Sequence, residues 1–408
     1  MWLHFPPVER LFFYCLAPDA HVAAILSNLK DALSRALRAF YPLAGRLRLT
    51  PGTSDSYELH YSPGDGVAFT VAEYDDNGGV DCLATDDPRE VSMIAPLVPP
   101  LPTGGAALAL QATLLLPTRR GLAIGVAVHH AAGDGSTSTH FLSSCTPGRR
   151  PRARAPATST TAGANKMMLA EAPADHLLAT FTLSRDLLKR AKDAEAARRG
   201  VAPPRCTLRV ATLGLVWSCY QRAKEATPPP STPTASTDGG DDRACLLFSV
   251  DHRSRMSPPL PSKYLGNCVG PALALAPKAE LAGGGAGGLL AACVAVATAV
   301  DEAVSGGVGT GSVAACGDRV KDIAGEMGML PVAGSSRFRV YELDMGFGRP
   351  AKVDIVSVAR TGAVAVAESR CGGGGMEVGV PLPPDGMERF RECFADAVAG
   401  LHGAEQLS

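Results

Sequence analysis

The chain reads as an α/β protein of two lobes, each a mixed β-sheet with helices, on three observations. Strand-type runs and amphipathic helices alternate in both halves of the 408 residues. A non-periodic stretch rich in Pro, Arg, Ser and Thr, residues 145–164, separates the halves. The last apolar run of the first half, Gly121–Val128, leads straight into His129-His130-Ala131-Ala132-Gly133-Asp134-Gly135. A histidine therefore stands where a buried strand ends, with a Gly-Asp-Gly turn behind it.

Residues 21–40 predict the first helix. Val22, Ile25, Leu26, Leu29, Leu33, Ala36, Leu37 and Phe40 share one face, and Asn28, Lys30, Asp31, Arg35 and Arg38 the other. Pro42 stops it and Gly45 turns the chain into a strand. Residues 57–61 and 67–71 read as further strands. Leu108–Leu116 and Gly121–Val128 flank a short turn and predict a hairpin. Ser136-Thr137-Ser138-Thr139 reads as a capped helix start.

The second half resumes with a strand at Leu177–Leu183 and a helix over 184–199 with Ser184 as its N-cap. Residues 207–224 are helical around Trp217, and 246–250 form a strand. Residues 281–300 carry no charge and are long enough to cross a bilayer. Glycines at 283, 284, 285, 287 and 288 confine the apolar part to 289–300, so a Gly loop and a buried helix are expected instead. Residues 341–343, 353–358, 363–367 and 376–380 read as strands. Asp385 is expected to cap a last helix whose face is Met387, Phe390, Phe394, Val398 and Leu401. The simplest division is 1–145, a crossover at 146–176, and 177–408.

A net charge of −1 gives no global field for nucleic acid. The eleven cysteines are scattered, without a CxxC pair or zinc spacing. Free thiols in a reducing cytoplasm are expected, with no metal. No charged-then-apolar leader opens the sequence. The glycine pattern at 307–311 lacks the strand and fingerprint of a dinucleotide site. Arginines 149, 150, 152 and 154 suit either a phosphate or solvent. Imidazole is the side chain best matched to moving protons near neutral pH, so His130 is a candidate base; a satisfied structural histidine is the competing reading.

Four segments together resemble one family. They are 129–135, similar to HxxxDG; Asp344-Met345-Gly346-Phe347-Gly348-Arg349-Pro350, similar to DFGWG; residues 250–271 (VDHRSRMSPPLPSKYLGNCVGP), similar to an arginine-and-YFGNC block; and FYPLAGRL at 40–47. In this order they resemble the plant BAHD acyltransferases, which move acyl groups from coenzyme A thioesters to hydroxyls or amines. WLHFPPVERLFFY at 2–14 and the run 332–358 are similar to the branch that acylates flavonoid and phenolic glucosides. Members of that family usually begin further upstream, with a strand before the WLHFPP segment, and carry a longer crossover. Met345 replaces the first Phe of DFGWG, and Leu265 an aromatic of YFGNC.

The resemblance implies a two-lobed chloramphenicol-acetyltransferase-like fold with an active-site channel between the lobes. It implies a malonyl or aromatic acyl transfer from acyl-CoA, bound only as co-substrate, to a hydroxyl of a plant phenolic glucoside. It places His130 as general base and counts Asp344 among the catalytic positions, with the segment of Asp344 lying apart from the acyl centre and shaping the coenzyme channel and lobe packing. Gly346, Phe347, Gly348, Arg349 and Pro350 are expected to shape the coenzyme channel. Asp134 either polarises His130, as in a hydrolase triad, or structures the loop with Gly135 and one of Arg253 and Arg255. Gly133 and Gly135 are expected to let substrate approach the backbone. A cytoplasmic monomer without nucleic-acid or membrane partners is expected. Hydroxycinnamoyl- or acetyl-CoA transfer to another alcohol or amine, a condensation domain of the same fold, and an inactive paralogue are the alternatives.

Overall fold

A computed structural model describes residues 3, 5–54, 56–75, 79–116, 120–147, 161–162, 175–199, 207–225, 242–283, 286–305 and 329–403. In chain order the first half contributes β1 (Val8–Cys15), α1 (Val22–Ala39), β2 (Arg46–Leu49), β3 (Ser56–His60), β4 (Ala68–Asp75), α2 (Gly79–Leu83), β5 (Arg89–Glu90), α3 (Val91–Ile94), β6 (Leu108–Leu116), β7 (Gly121–Val128), α4 (Gly135–Ser143) and β8 (Thr161–Ala162). The second half contributes β9 (Leu177–Leu183), α5 (Arg185–Arg199), α6 (Leu208–Glu225), β10 (Arg243–Asp251), β11 (Val269–Pro277), α7 (Lys278–Leu281) and α8 (Ala286–Ser305). It continues with β12 (Met329–Gly334), β13 (Lys352–Ile355), α9 (Val358–Thr361), β14 (Val364–Glu368), β15 (Met376–Leu382) and α10 (Pro384–Gly403).

Two large mixed sheets form the lobes, ordered β13-β1-β7-β6-β4 and β11-β10-β12-β14-β15-β9-β5, with a small sheet β2-β3-β8 beside them. Each large sheet takes a strand from the other half of the chain. β13 pairs antiparallel with β1, Arg10 opposite Ile355, and β5 pairs with β9, Arg89 opposite Leu178. The division at 145 and 177 follows the chain but not the sheets.

β7 is buried at every position because its sheet is covered on both faces. One face packs Phe12, Tyr14, Ile124 and Val126 against Leu29 and Leu33 of α1 and Phe141 of α4. The other packs Leu11, Phe13 and Ala127 against Ile94, Leu97, Leu178 and Val356. A strand covered on both sides reads as a continuous apolar run, not as an alternation. The second core gathers Trp217 of α6, Leu289, Cys293 and Val296 of α8 and Phe390 of α10. The stretch Gly287–Ser305 is long and apolar enough to cross a membrane by length and composition; here Ala292, Cys293 and Val296 are fully buried in that core.

Three local expectations need correcting. Residues 341–343 are not a strand: Val340–Glu342 is a 3-10 turn, entered through Arg339 at φ 48° and held where the Tyr341 N–H donates to Glu368 Oε1 (2.9 Å). Thr161–Ala162, inside the stretch read as featureless, pairs with β3. α10 begins with Pro384 at its first position, so Asp385 lies inside the first turn. Ser184 does cap α5, its Oγ accepting from Leu187 N at 3.1 Å. Residues 307–311 and arginines 149, 150, 152 and 154 lie outside the described residues.

A polar seam joins the sheets where the exchanged strands meet. Lys352, with no exposed surface, bonds Asp86, and Arg89 bonds Asp354. The Tyr341 hydroxyl donates to Glu377 Oε2 (2.6 Å), and Arg370 Nε donates to Glu377 Oε1 (3.0 Å). Burial, reinforced by the Glu377 charge, pushes the Tyr341 hydroxyl far above its ordinary range.

Candidate active site

β7 delivers the chain into the His130 turn, and α4 takes it away. Asp134 is the N-cap of α4, its Oδ1 accepting from Thr137 N at 3.0 Å. The cap is thus an aspartate upstream of the Ser/Thr run expected to supply it. The same carboxylate receives Arg253 Nη2 on both oxygens, at 2.9 and 2.8 Å, and the Cys268 N–H on Oδ2 at 3.0 Å. With both oxygens so committed, Asp134 pins its own loop to the 250–271 block. Arg253 is its partner. Arg255 is exposed and donates to the Asp251 carbonyl (2.7 Å). Burial works against the Arg253 charge, but Asp134 outweighs it and holds the guanidinium above its ordinary value.

The YLGNC segment grips the turn further. Thr137 Oγ1 donates to the Gly266 carbonyl at 2.9 Å and accepts from Gly266 N at 3.1 Å. Asn267 Nδ2 donates to the His130 carbonyl at 2.9 Å. The Arg253 guanidinium also lies 5.9 Å from the Tyr264 ring centre. Three groups of the 250–271 block, the Arg253 guanidinium, the Asn267 amide and the Cys268 N–H, therefore fix the 129–135 turn, and Gly266 holds the first turn of α4 behind it.

Gly133 and Gly135 are small for reasons inside the protein. A Cβ at Gly133 would stand 2.6 Å from Thr137 Cγ2, and one at Gly135 2.4 Å from Phe338 Cζ. Close approach by the Thr137 and Phe338 side chains leaves no room for a Cβ at either position.

His130 itself is half-buried, and its Nδ1 is buried. The Phe5 ring packs on it, with centroids 5.4 Å apart and planes tilted by 54°. Desolvation lowers its pKa to about 4, against opposing contributions from a backbone hydrogen bond and the Asp134 charge. Desolvation thereby favours the neutral, proton-accepting form of the imidazole.

Asp344 has another task. Its Oδ1 accepts from Gly346 N at 2.8 Å and Gly348 N at 3.1 Å, closing its own loop. Gly346 and Gly348 adopt φ of 103° and 105°, a region that glycine enters without strain. Met345 is buried in the first lobe's core, Phe347 packs edge-on to Tyr14 at 4.8 Å, Arg349 is exposed and Pro350 buried. The Ala351 N–H then donates to the Phe13 carbonyl (2.7 Å) and β13 joins β1. The segment seats the exchanged strand, and the bonds of the Asp344 carboxylate go to its own loop. Burial pushes the Cys145 thiol up to about 12 and raises that of Cys268, which speaks against a thiolate nucleophile. Among the described residues no group of three or more His, Cys, Asp and Glu is placed to hold a metal ion.

Sequence reasoning missed Arg10, Thr137, Asn267, Phe5 and Phe338. Asn267 stood inside a recognised motif, but nothing in its spacing points to a carbonyl 137 positions away.

Comparison with known proteins points to one family. The model of the Transferase family matches residues 5–176 and 169–397. A malonyl-CoA:anthocyanidin 5-O-glucoside-6''-O-malonyltransferase of Arabidopsis thaliana is 30% identical, over 97% of this chain and 92% of its own. A coumaroyl-CoA:anthocyanidin 3-O-glucoside-6''-O-coumaroyltransferase 2 of the same plant is 27% identical, over 95% and 90%. The crystal structure of vinorine synthase superimposes with a TM-score of 0.66 at 19% identity, over 95% of this chain and 89% of that one. The chain belongs to the Transferase family, the acyl-CoA-dependent BAHD acyltransferases that its motifs resemble.

Proposed function

We propose that this protein transfers an acyl group, malonyl or aromatic, from acyl-CoA to a sugar hydroxyl of a phenolic or anthocyanidin glucoside, with His130 as general base. The observation that carries the base assignment is a neutral, partly exposed imidazole on a turn held by Arg253, Thr137 and Asn267. His130 takes the acceptor hydroxyl's proton as that oxygen attacks the thioester carbonyl. The tetrahedral intermediate collapses, the C–S bond breaks, and the coenzyme A thiolate recovers the proton from His130. Asp134 does not relay charge; it keeps the ring's backbone in place. Coumaroyl transfer is the second reading, favoured by the 27% identity to the coumaroyltransferase. A cytoplasmic, monomeric enzyme completes the reading.

The test is direct. Purified protein is incubated with malonyl-, acetyl- and coumaroyl-CoA and a panel of flavonoid glucosides, and products are identified by mass. His130→Ala is expected to lower kcat by about 10²–10⁴ with the fold intact. A variant retaining near wild-type turnover overturns the base assignment, and binding without turnover in the wild type favours the inactive reading.

A further inference from the structure

Resting on the acyltransferase reading, we propose that Arg10 selects acyl donors whose tail ends in a carboxylate, such as malonyl, by pairing with that carboxylate. Among the described residues the buried cations are Arg10, Arg89, Arg253 and Lys352. Three of them are matched: Arg89 to Asp354, Arg253 to Asp134 and Lys352 to Asp86. Arg10, 4% exposed, is the exception. Its bonds go to neutral acceptors, Thr139 Oγ1 at 2.7 Å and the Gly135 carbonyl at 3.4 Å, and its guanidinium lies 5.4 Å from the Phe338 ring centre. Among the described residues no carboxylate lies within ion-pair distance of it. Asp134 and Glu368 act on it only through space, and each is otherwise engaged, Asp134 with Arg253 and Glu368 with Tyr341 N.

A charge so placed is poorly compensated. Burial lowers the Arg10 pKa to about 10, which still leaves it a cation at neutral pH. Arg10 also lines a cavity of about 30 Å³ between the sheets, with Gly334, Ser335 and Phe338 and with Asp354 and Glu377, whose charges are taken up by Arg89 and by Arg370 and Tyr341. That is roughly twice the space one water needs, on the scale of a carboxylate. Arg10 and Phe338 both reach Gly135, the residue that ends the His130 turn. Through Gly135 this cation adjoins the end of the His130 turn, and a buried carboxylate requires such a partner.

The experiment compares kcat/KM for malonyl-CoA and acetyl-CoA with one acceptor glucoside. In the wild type, malonyl-CoA is expected to be the better donor. In Arg10→Gln the malonyl-to-acetyl ratio is expected to fall about 30-fold or more, the loss typical of removing one partner of a buried charge pair. In Arg10→Lys, which keeps the charge, the ratio is expected to stay on the malonyl side. Equal losses for both donors, or an unchanged ratio in Arg10→Gln, overturn the proposal. So does a wild type that uses acetyl- or coumaroyl-CoA as well as malonyl-CoA, a result that needs no variant. A wild type that transfers no acyl group sinks the underlying assignment and this proposal with it, and is distinguishable because no donor then reacts.

Discussion

At the scale of single residues, the site is a neutral imidazole and a charge pair that holds the turn carrying it. The base must be unprotonated to work. With a pKa lowered to about 4 by desolvation, His130 holds its base form down to unusually acid pH. The acid limb of kcat/KM is therefore expected to reach half its plateau well below the ordinary histidine value of about 6.5. A half-point at or above that value, read from a pH–rate profile, contradicts the desolvated site. The same shift bears on folding. Between about 6.5 and about 4 the unfolded chain binds a proton that the native chain refuses, so this contribution to stability is present above that window and declines as pH falls through it. Asp134 and Arg253 are both nearly sealed, at 3% and 5% side-chain exposure. Replacing Asp134 by Ala strands a buried guanidinium, and denaturant unfolding is expected to show a loss of about 3–5 kcal/mol. The double variant with Arg253→Met is expected to lose less than the sum of the singles. His130 and Asp134 were legible because the motif is local. Arg253 could be narrowed only to one of two arginines, since the choice depends on a turn at 253–255 that buries one side chain and exposes the other.

At the scale of elements, hydrophobic periodicity located the long pieces well. The face expected for α1 includes Leu29, Leu33 and Ala36, three of the four positions it buries; Ala32 is the fourth. Prediction failed where backbone hydrogen bonds go to distant side chains. Tyr341, strand-like by type, bends into a turn because Glu368 takes its N–H and Glu377 its hydroxyl. Neither partner is near it in sequence. The Asp344 loop illustrates the converse, since its glycine spacing was visible but its purpose, seating β13, was not. A close crossing gives a test at this scale. Gly125 lies mid-strand in β7, and a Cβ there would stand 2.1 Å from the Leu97 carbonyl oxygen. Backbone cannot step aside as a flexible side chain can. Gly125→Ala is expected to destabilise the fold by about 1–3 kcal/mol in equilibrium unfolding, the range of core overpacking. A variant as stable as wild type contradicts that contact.

For the whole molecule, the two lobes were legible and their entanglement was not. Nothing in composition distinguishes a strand destined for the neighbouring sheet, and β5 and β13 are only two and four residues long. Their consequence is mechanical coupling: Lys352 and Asp354 on β13 bond Asp86 and Arg89, which flank and open β5. Calorimetry is therefore expected to show one cooperative transition, not one per lobe. Two resolved peaks would mean that the seam does not hold. A thought experiment in protein dissection makes the point another way. Cut the gene between codons 147 and 175 and express the pieces apart. Each polypeptide then lacks a rung of its own ladder and carries a spare one belonging to its sibling, so neither piece alone is a foldable unit, and only co-expression offers a route back to a working whole.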